Sequence, residues 1–182
     1  MSDERSREEP RRRDATRAEG AERRPGSTRA QRAVGTGIRV DGVNMDFKLE
    51  LVLIPVSDID RAKTFYADHA GFRLDVDHRS GDEFRVVQFT PPGSACSISF
   101  GRGITEAEPG SVTGLHLVVE DITAARAELV NRGVAVSDIR HMGPDGWQPG
   151  SDPEHRRYNS FADFNDPDGN TWVLQEVPAT SS

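Results

Sequence analysis

The chain carries one pattern twice. Setting Asp58 on Asp121, a spacing of 63 residues, also sets Ile59 on Ile122 and Ala62 on Ala125. In each copy an apolar run (KLELVLIPV, then GLHLVVED) leads to an aspartate suited to capping a helix, Asp58 after Ser57 and then Asp121. Ile59, Ala62, Phe65, Tyr66 and His69 then recur at helical spacing, as do Ile122, Ala125 and Leu129, and Gly71 and Gly133 are placed to end the two helices. Three strand candidates follow each helix. In the first copy they are GFRLDVDHR, FRVVQFT and ACSISFG, parted by the turn-rich RSGDE and PPGS; in the second they are VAVSDIRHM, NSFADF and TWVLQEV. The order is βαβββ in tandem, an α+β chain built by repeating one supersecondary module rather than a solenoid, since only two copies are present.

The repeat accounts for residues 45–178, with module one at about 47–110, module two at about 111–178, and a short tail at 179–182. Ahead of it, residues 1–44 carry 11 Arg against 8 Asp or Glu, a net of +3, so the remaining chain holds −10 of the overall −7. The arm offers little to bury and is expected to be disordered. Strand periodicity begins at once in MDFKLELVLIPV, so Met45 is also a candidate natural start. An acidic folded part argues against nucleic acid as partner. No run approaches the roughly 18 apolar residues of a membrane span, and no signal peptide is readable. One cysteine, Cys96, excludes an internal disulfide, and the cytoplasm is the expected compartment.

Two features stand outside the repeat's logic. Gly143–Tyr158 (GPDGWQPGSDPEHRRY) is long, rich in Gly and Pro, and reads as irregular; Trp147 within it either closes over a ligand or anchors the loop. His116 stands in the apolar run GLHLVVEDI. Three roles compete for it: a residue that hydrogen-bonds or deprotonates a ligand, a metal ligand, or a satisfied histidine without catalytic duty. Imidazole exchanges protons near neutral pH, which suits the first. His69, at a helix end, reads as structural, while His78 and His155 sit in charged surroundings; His141, at the mouth of the long stretch, is placed to face a cleft. No Ser/His/Asp constellation and no glycine-rich phosphate loop is readable.

The paired modules, the strand-to-helix signatures VSDIDRAKTFY and VVEDITAARAEL, and the turn NDPDGNTWVLQEV resemble the vicinal oxygen chelate superfamily, which includes glyoxalase I, extradiol dioxygenases, and fosfomycin and bleomycin resistance proteins. The resemblance implies two tandem βαβββ modules forming a curved mixed sheet around a cleft, helices outside, and a homodimer. In metal-binding members the first-strand ligand stands seven residues before the helix-opening Asp, which gives Leu51 and Gly114 here. The last-strand carboxylate comes three residues after the Asn of DPDGN, which gives Val173. None of these can ligate a metal, so a divalent cofactor is not expected at the usual positions. His116 and Gln175 lie two residues beyond Gly114 and Val173 on the same strand faces, a shifted pair that His141 or a substrate would have to complete.

The expected function is therefore a glyoxalase- or bleomycin-resistance-like protein that binds a small molecule in its cleft, by sequestration or by metal-free acid/base chemistry through His116. The expected lining is Leu51, Leu53, Gln88, Ser97, Ser99, Val118, His141, Trp147, Val173 and Gln175. A metal-dependent lyase or dioxygenase with a rearranged site, and an interaction module without ligand chemistry, stand as alternatives. Whether the protein is an enzyme stays open.

Overall fold

The computed structural model describes residues 38–40 and 43–179. Strands β1 (Ile38–Val40) and β2 (Val43–Met45) pair antiparallel within a unit that ends at Asp46. The rest of the expected arm, and residues 180–182 of the tail, lie outside the described residues.

The repeat forms the second unit, from Phe47 onward. Module one runs β3 (Leu51–Leu53), α1 (Ile59–Thr64), β4 (Arg73–Ser80), β5 (Phe84–Thr90) and β6 (Ser97–Arg102). Its sheet has the order β3-β6-β5-β4, parallel between β3 and β6 and antiparallel elsewhere. Asp58 caps α1 as expected, its carboxylate accepting the N–H groups of Asp60 and Arg61 at 3.0 Å each. The helix then widens into one π-helical turn, Phe65–His69, closed by Ala70 N–H to the Phe65 carbonyl at 2.8 Å. That extra residue per turn brings two successive aromatics, Phe65 and Tyr66, into the core.

Module two runs β7 (Leu115–Val119), α2 (Ile122–Asn131), β8 (Arg140–Gly143), β9 (Gly146–Pro149), β10 (Ser160–Asn165) and β11 (Thr171–Glu176). The order is β7-β11-β10-β8-β9, with β7 parallel to β11. Asp121 caps α2 through Ala124 N–H at 2.9 Å, and Gly133 ends it at φ +85°. Two expectations change here. VAVSDIRHM is a strand only from Arg140, with Val136 contributing a single bridge to Phe164. Gly143–Tyr158 is not wholly irregular: Pro144 and Asp145 form a tight turn between β8 and β9, and Gly146, at φ +108°, takes the left-handed position.

The modules share one core through their helix-bearing faces. Ile54, Tyr66, Phe72, Val87, Phe89, Phe100, Ile122, Phe164, Trp172 and Leu174 are buried together. Tyr66 stacks on Phe72 of its own module and meets Trp172 of the other edge to face, with ring centroids 5.6 and 6.0 Å away. Its hydroxyl donates to Asp166 at 2.9 Å and accepts from the Trp172 indole N–H at 3.3 Å; burial, with the Asp166 carboxylate next in weight, pushes the phenol far above its ordinary range. The DPDGN turn completes the seam. Asn170 is fully buried and its amide donates to the Pro55 carbonyl (3.0 Å) and to Asp166 (2.7 Å), while its oxygen accepts from Val112 N–H (3.1 Å). At the margin of the helix-bearing face of the first sheet, Arg85 grips Asp77 with two bonds of 3.0 Å and Asp60 with one of 2.8 Å, and Lys63 reaches Asp77 at 2.7 Å, lashing β4 and β5 to α1.

Two predictions follow from these contacts. Asn170→Ala strands the Val112 N–H and leaves the Pro55 carbonyl with only the Gly110 N–H at 3.3 Å, and at ~1–3 kcal/mol per unmet buried group it is expected to cost about 2 kcal/mol in urea unfolding. Tyr66→Phe, which keeps the ring packing, is expected to cost less. Arg85, and next to it Lys63, hold the Asp77 carboxyl well below the ordinary carboxylate range. The ionised form thus favours the fold above about pH 4, and that contribution fades as the pH falls through the folded value. The gap in urea midpoint between wild type and Asp77→Asn is therefore expected to be open at pH 7 and to narrow below pH 4; a gap that widens in acid contradicts the assignment.

Candidate functional site

Register sorts the expected site residues onto faces, because directly paired residues share a face and neighbours along a strand do not. On β11, Trp172, Leu174 and Glu176 turn into the core, so Thr171, Val173 and Gln175 turn out. Val173 pairs with His116 and Gln175 with Val118 on β7; across β10, Gln175 pairs with Phe161 and Val173 with Asp163. Phe161 in turn pairs with Arg140 of β8. His116, Val118, Val173, Gln175, Phe161, Asp163 and Arg140 thus stand on one open face, and Val118 is 58% exposed there.

Trp147, on β9, belongs to the same face: its ring meets Phe161 edge to face at 5.4 Å, and the Arg140 guanidinium lies over it at 5.0 Å. The ring remains 52% exposed. Arg140 also pairs with Asp163, so this part of the face is internally neutral. His116 itself is exposed, and its Nδ1 lies 3.1 Å from the Gln175 Oε1. The other end of that amide, Nε2, donates to the Tyr158 carbonyl at 3.2 Å.

His141 is a correction. It pairs with the buried Ser160, which puts it on the opposite face from Arg140 and Phe161, and its Nδ1 meets the Gly150 carbonyl at 2.9 Å. The residue that faces the site from this strand is its neighbour, Arg140.

The remaining expected residues gather on the open face of the first sheet. Leu51 pairs with Ser97, Leu53 with Ser99, and Ser99 with Gln88. Leu51 and Leu53 are exposed, but the two serines lie buried beneath their neighbours. Ser99 donates to the Val87 carbonyl at 3.1 Å, and Ser97 exchanges a 2.7 Å hydrogen bond with Thr90. Thr90 continues this line to Asp75, the residue at the irregularity between Leu74 and Val76, and that bond, ahead of the Arg73 contacts, lowers the Asp75 carboxyl. Within one chain the expected lining is therefore divided between two faces, one on each sheet.

The residues present do not fit the metal centre of the resembling enzymes. Leu51, Gly114 and Val173 offer no side-chain donor atom, and Asp163 is held by Arg140. Among the described residues no group of three or more His, Cys, Asp or Glu side chains is arranged to hold a metal ion. What the second sheet offers is one imidazole, one amide, and an apolar and aromatic surround. Arg140, Phe161 and Asp163 were missed by sequence reasoning. The alternation in NSFADF, with Ser160, Ala162 and Phe164 turned inward, carried the signal for the last two.

A family profile described as the Glyoxalase/Bleomycin resistance protein/Dioxygenase superfamily matches residues 48–174. Among solved structures, TnmS3, an antibiotic binding protein from Streptomyces sp. CB03234, is 34% identical over 74% of this chain and 98% of its own, with a TM-score of 0.57. A glyoxalase/bleomycin resistance protein from the same strain is 35% identical over 71% of this chain and 100% of its own, with a TM-score of 0.54. The Bacillus subtilis uncharacterized protein YetH is 23% identical over 126 residues, 69% of this chain and 94% of that one. With its two tandem modules, the second enlarged by the β8–β9 hairpin, and this match over most of its length, the chain belongs to the glyoxalase/bleomycin resistance/dioxygenase superfamily, the vicinal oxygen chelate fold.

Proposed function

We propose that this protein binds and sequesters a small, largely apolar molecule on the open face of its second sheet, with His116 as the polar anchor. The observation that carries this reading is the setting of the histidine: an exposed imidazole, tied at one nitrogen to Gln175 and flanked by Val118 and Val173, on a face that continues across the sheet to Phe161 and Trp147. Sites for small organic ligands combine such apolar walls with a few fixed polar groups. The likeness to an antibiotic binding protein supports the same class of ligand. A lyase or dioxygenase would need ligands that the usual positions lack. The single Cys96, a free thiol, suits a reducing compartment, and we place the protein in the cytoplasm.

The partner that completes the site is, on this reading, a second copy of the chain. Phe47, Leu49, Leu51 and Leu53 form a period-two apolar stripe, with Phe47 76% and Leu49 71% exposed. In β3, the bonds Ser97 N–H to Glu50 O and Ile54 N–H to Ser99 O leave the main-chain groups of Leu51 and Leu53 turned to the open edge. The bond Val177 N–H to Val119 O implies the same for His116 and Val118 in β7. Each chain thus presents an apolar edge on each of its two sheets, an arrangement suited to reciprocal pairing by a two-fold axis. Light scattering is expected to give twice the chain mass, and Leu49→Glu to give the monomer; a wild-type monomer at tens of micromolar would remove the second copy.

Trp147 supplies the binding readout. Titrating hydrophobic antibiotics into the metal-free protein is expected to change its exposed indole fluorescence, and Trp147→Phe to abolish the change. His116→Ala is expected to weaken binding about tenfold, ~1.4 kcal/mol, the scale of one lost hydrogen bond. About one equivalent of transition metal per chain by elemental analysis, lost in His116→Ala, would favour the metal-dependent enzyme instead.

A further inference from the structure

We infer that the 150–159 strap is a positioning device that holds His116 with its proton on Nδ1 and leaves Nε2 as the acceptor, or base, toward whatever occupies the open face. The inference rests on the reading of His116 as the site's polar anchor, but its geometry exists without a ligand. It begins with the tyrosine carbonyl. An oxygen of a peptide group only accepts, so the Gln175 atom 3.2 Å from Tyr158 O is the amide nitrogen. The other end of the same amide, Oε1, is then fixed toward His116, 3.1 Å from its Nδ1. Oε1 also only accepts, so Nδ1 must donate. In a neutral imidazole the proton on one nitrogen leaves a lone pair on the other, and Nε2 is therefore the acceptor. This is the reverse of the tautomer that a neutral histidine side chain favours in water.

What holds the carbonyl in place lies away from the site. Asp152 is fully buried, and its carboxylate accepts two bonds from the Arg156 guanidinium (2.7 and 3.0 Å), one from Arg156 N–H (3.1 Å), one from Glu154 N–H (3.3 Å) and one from the Asn159 amide (2.9 Å). Its own N–H donates to Ser160 Oγ at 3.0 Å. Asn159 also reaches the Met142 carbonyl at 3.0 Å, tying the strap to β8. These bonds surround two residues in the left-handed region without being glycine, His155 at φ +47° and Tyr158 at φ +65°. Such conformations are costly and persist where neighbouring contacts over-determine them. At Tyr158 the strained residue still gives its N–H to Glu176 O at 2.8 Å while its carbonyl meets the Gln175 side chain. The line therefore runs from Asp152 through the strap to Tyr158 O, Gln175 and His116. Asp152 and Tyr158 are positioning residues; they need not touch a ligand.

The test reads the tautomer directly. Long-range proton–nitrogen correlation spectra of the full chain, labelled with nitrogen-15 histidine and recorded at pH 8.5 without ligand, resolve the two ring nitrogens of each of the five histidines. His116 is expected with a protonated Nδ1 and a pyridine-type Nε2. Arg156→Ala, an exposed truncation that loosens the strap, and Asp152→Asn are both expected to move His116 toward the Nε2-protonated form while His78 stays unchanged. Gln175→Leu, which removes the acceptor, is expected to do so completely. Should Asp152→Asn fail to fold, Arg156→Ala and Gln175→Leu carry the comparison. A wild-type His116 protonated on Nε2, or a tautomer indifferent to Arg156→Ala while Gln175→Leu shifts it, would overturn the inference. Because no ligand is present, loss of antibiotic binding in the earlier titration and loss of this tautomer are separate results.

Discussion

Asn170 holds three parts of the molecule with one side chain. Its amide joins the end of the first strand of module one (Pro55), the start of module two (Val112) and the turn before the last strand (Asp166). A buried amide with those partners cannot shift without leaving a main-chain group unmet, and such a group costs more than the bond is worth when made. The turn is therefore fixed, and with it the register of β11. Since β11 pairs with both β7 and β10, its register determines which residues of three strands face the core. Tyr66, reaching across the same seam to Asp166 and Trp172, ties the π-helical turn of module one to that frame.

The two modules then divide their work by face. The helices over the core keep what the repeat places in both copies: the capping aspartates Asp58 and Asp121 at their exposed starts, and the isoleucine and alanine that follow, of which Ile122 and Ala62 are fully buried. The open faces have diverged. The first carries Leu51 and Leu53 over a buried line from Ser97 through Thr90 to Asp75; the second carries an imidazole, an amide and an Arg140–Trp147–Phe161 shelf. A fold of this kind fixes where a site stands and not what it does. The chemistry depends on which side chains happen to alternate with the core residues.

That division explains what was legible in the amino-acid sequence. The helices, their capping aspartates and their terminal glycines follow from local rules, and they stand where those rules put them. The strands flanking DPDGN were legible for the same reason. His116, Val118, Val173 and Gln175 share a face because period two is enough once two strands are aligned through a repeat. His141 was assigned to the wrong side because its strand had no such anchor: VAVSDIRHM lacks a clean alternation, and a shift of one residue exchanges His141 for Arg140. The hairpin after Gly143 was hidden by its prolines and glycines, which mark turns and loops alike. Asp75 reached its face through an irregularity in β4 that alternation does not foresee. The division of the lining between two sheet faces is a property of how modules pack, and no local pattern encodes it.

The position of the histidine gains its meaning from the same frame. An exposed imidazole on a strand ordinarily turns and exchanges tautomers freely. Here one nitrogen is committed to Gln175, because the other end of that amide is committed to a carbonyl, and the carbonyl is held by a strap centred on a buried carboxylate. Each link removes a choice from the next. Two of the strap's left-handed residues, His155 and Tyr158, are not glycine, so its shape there is maintained against local preference by the Asp152 bonds rather than by the backbone itself. On the proposed reading, a face with an imidazole, an amide and an Arg140–Asp163 pair has few polar groups to orient a ligand, and fixing the direction of the imidazole lone pair is one means of doing so. That is why a carboxylate outside the open face belongs in the account of what the face can recognise.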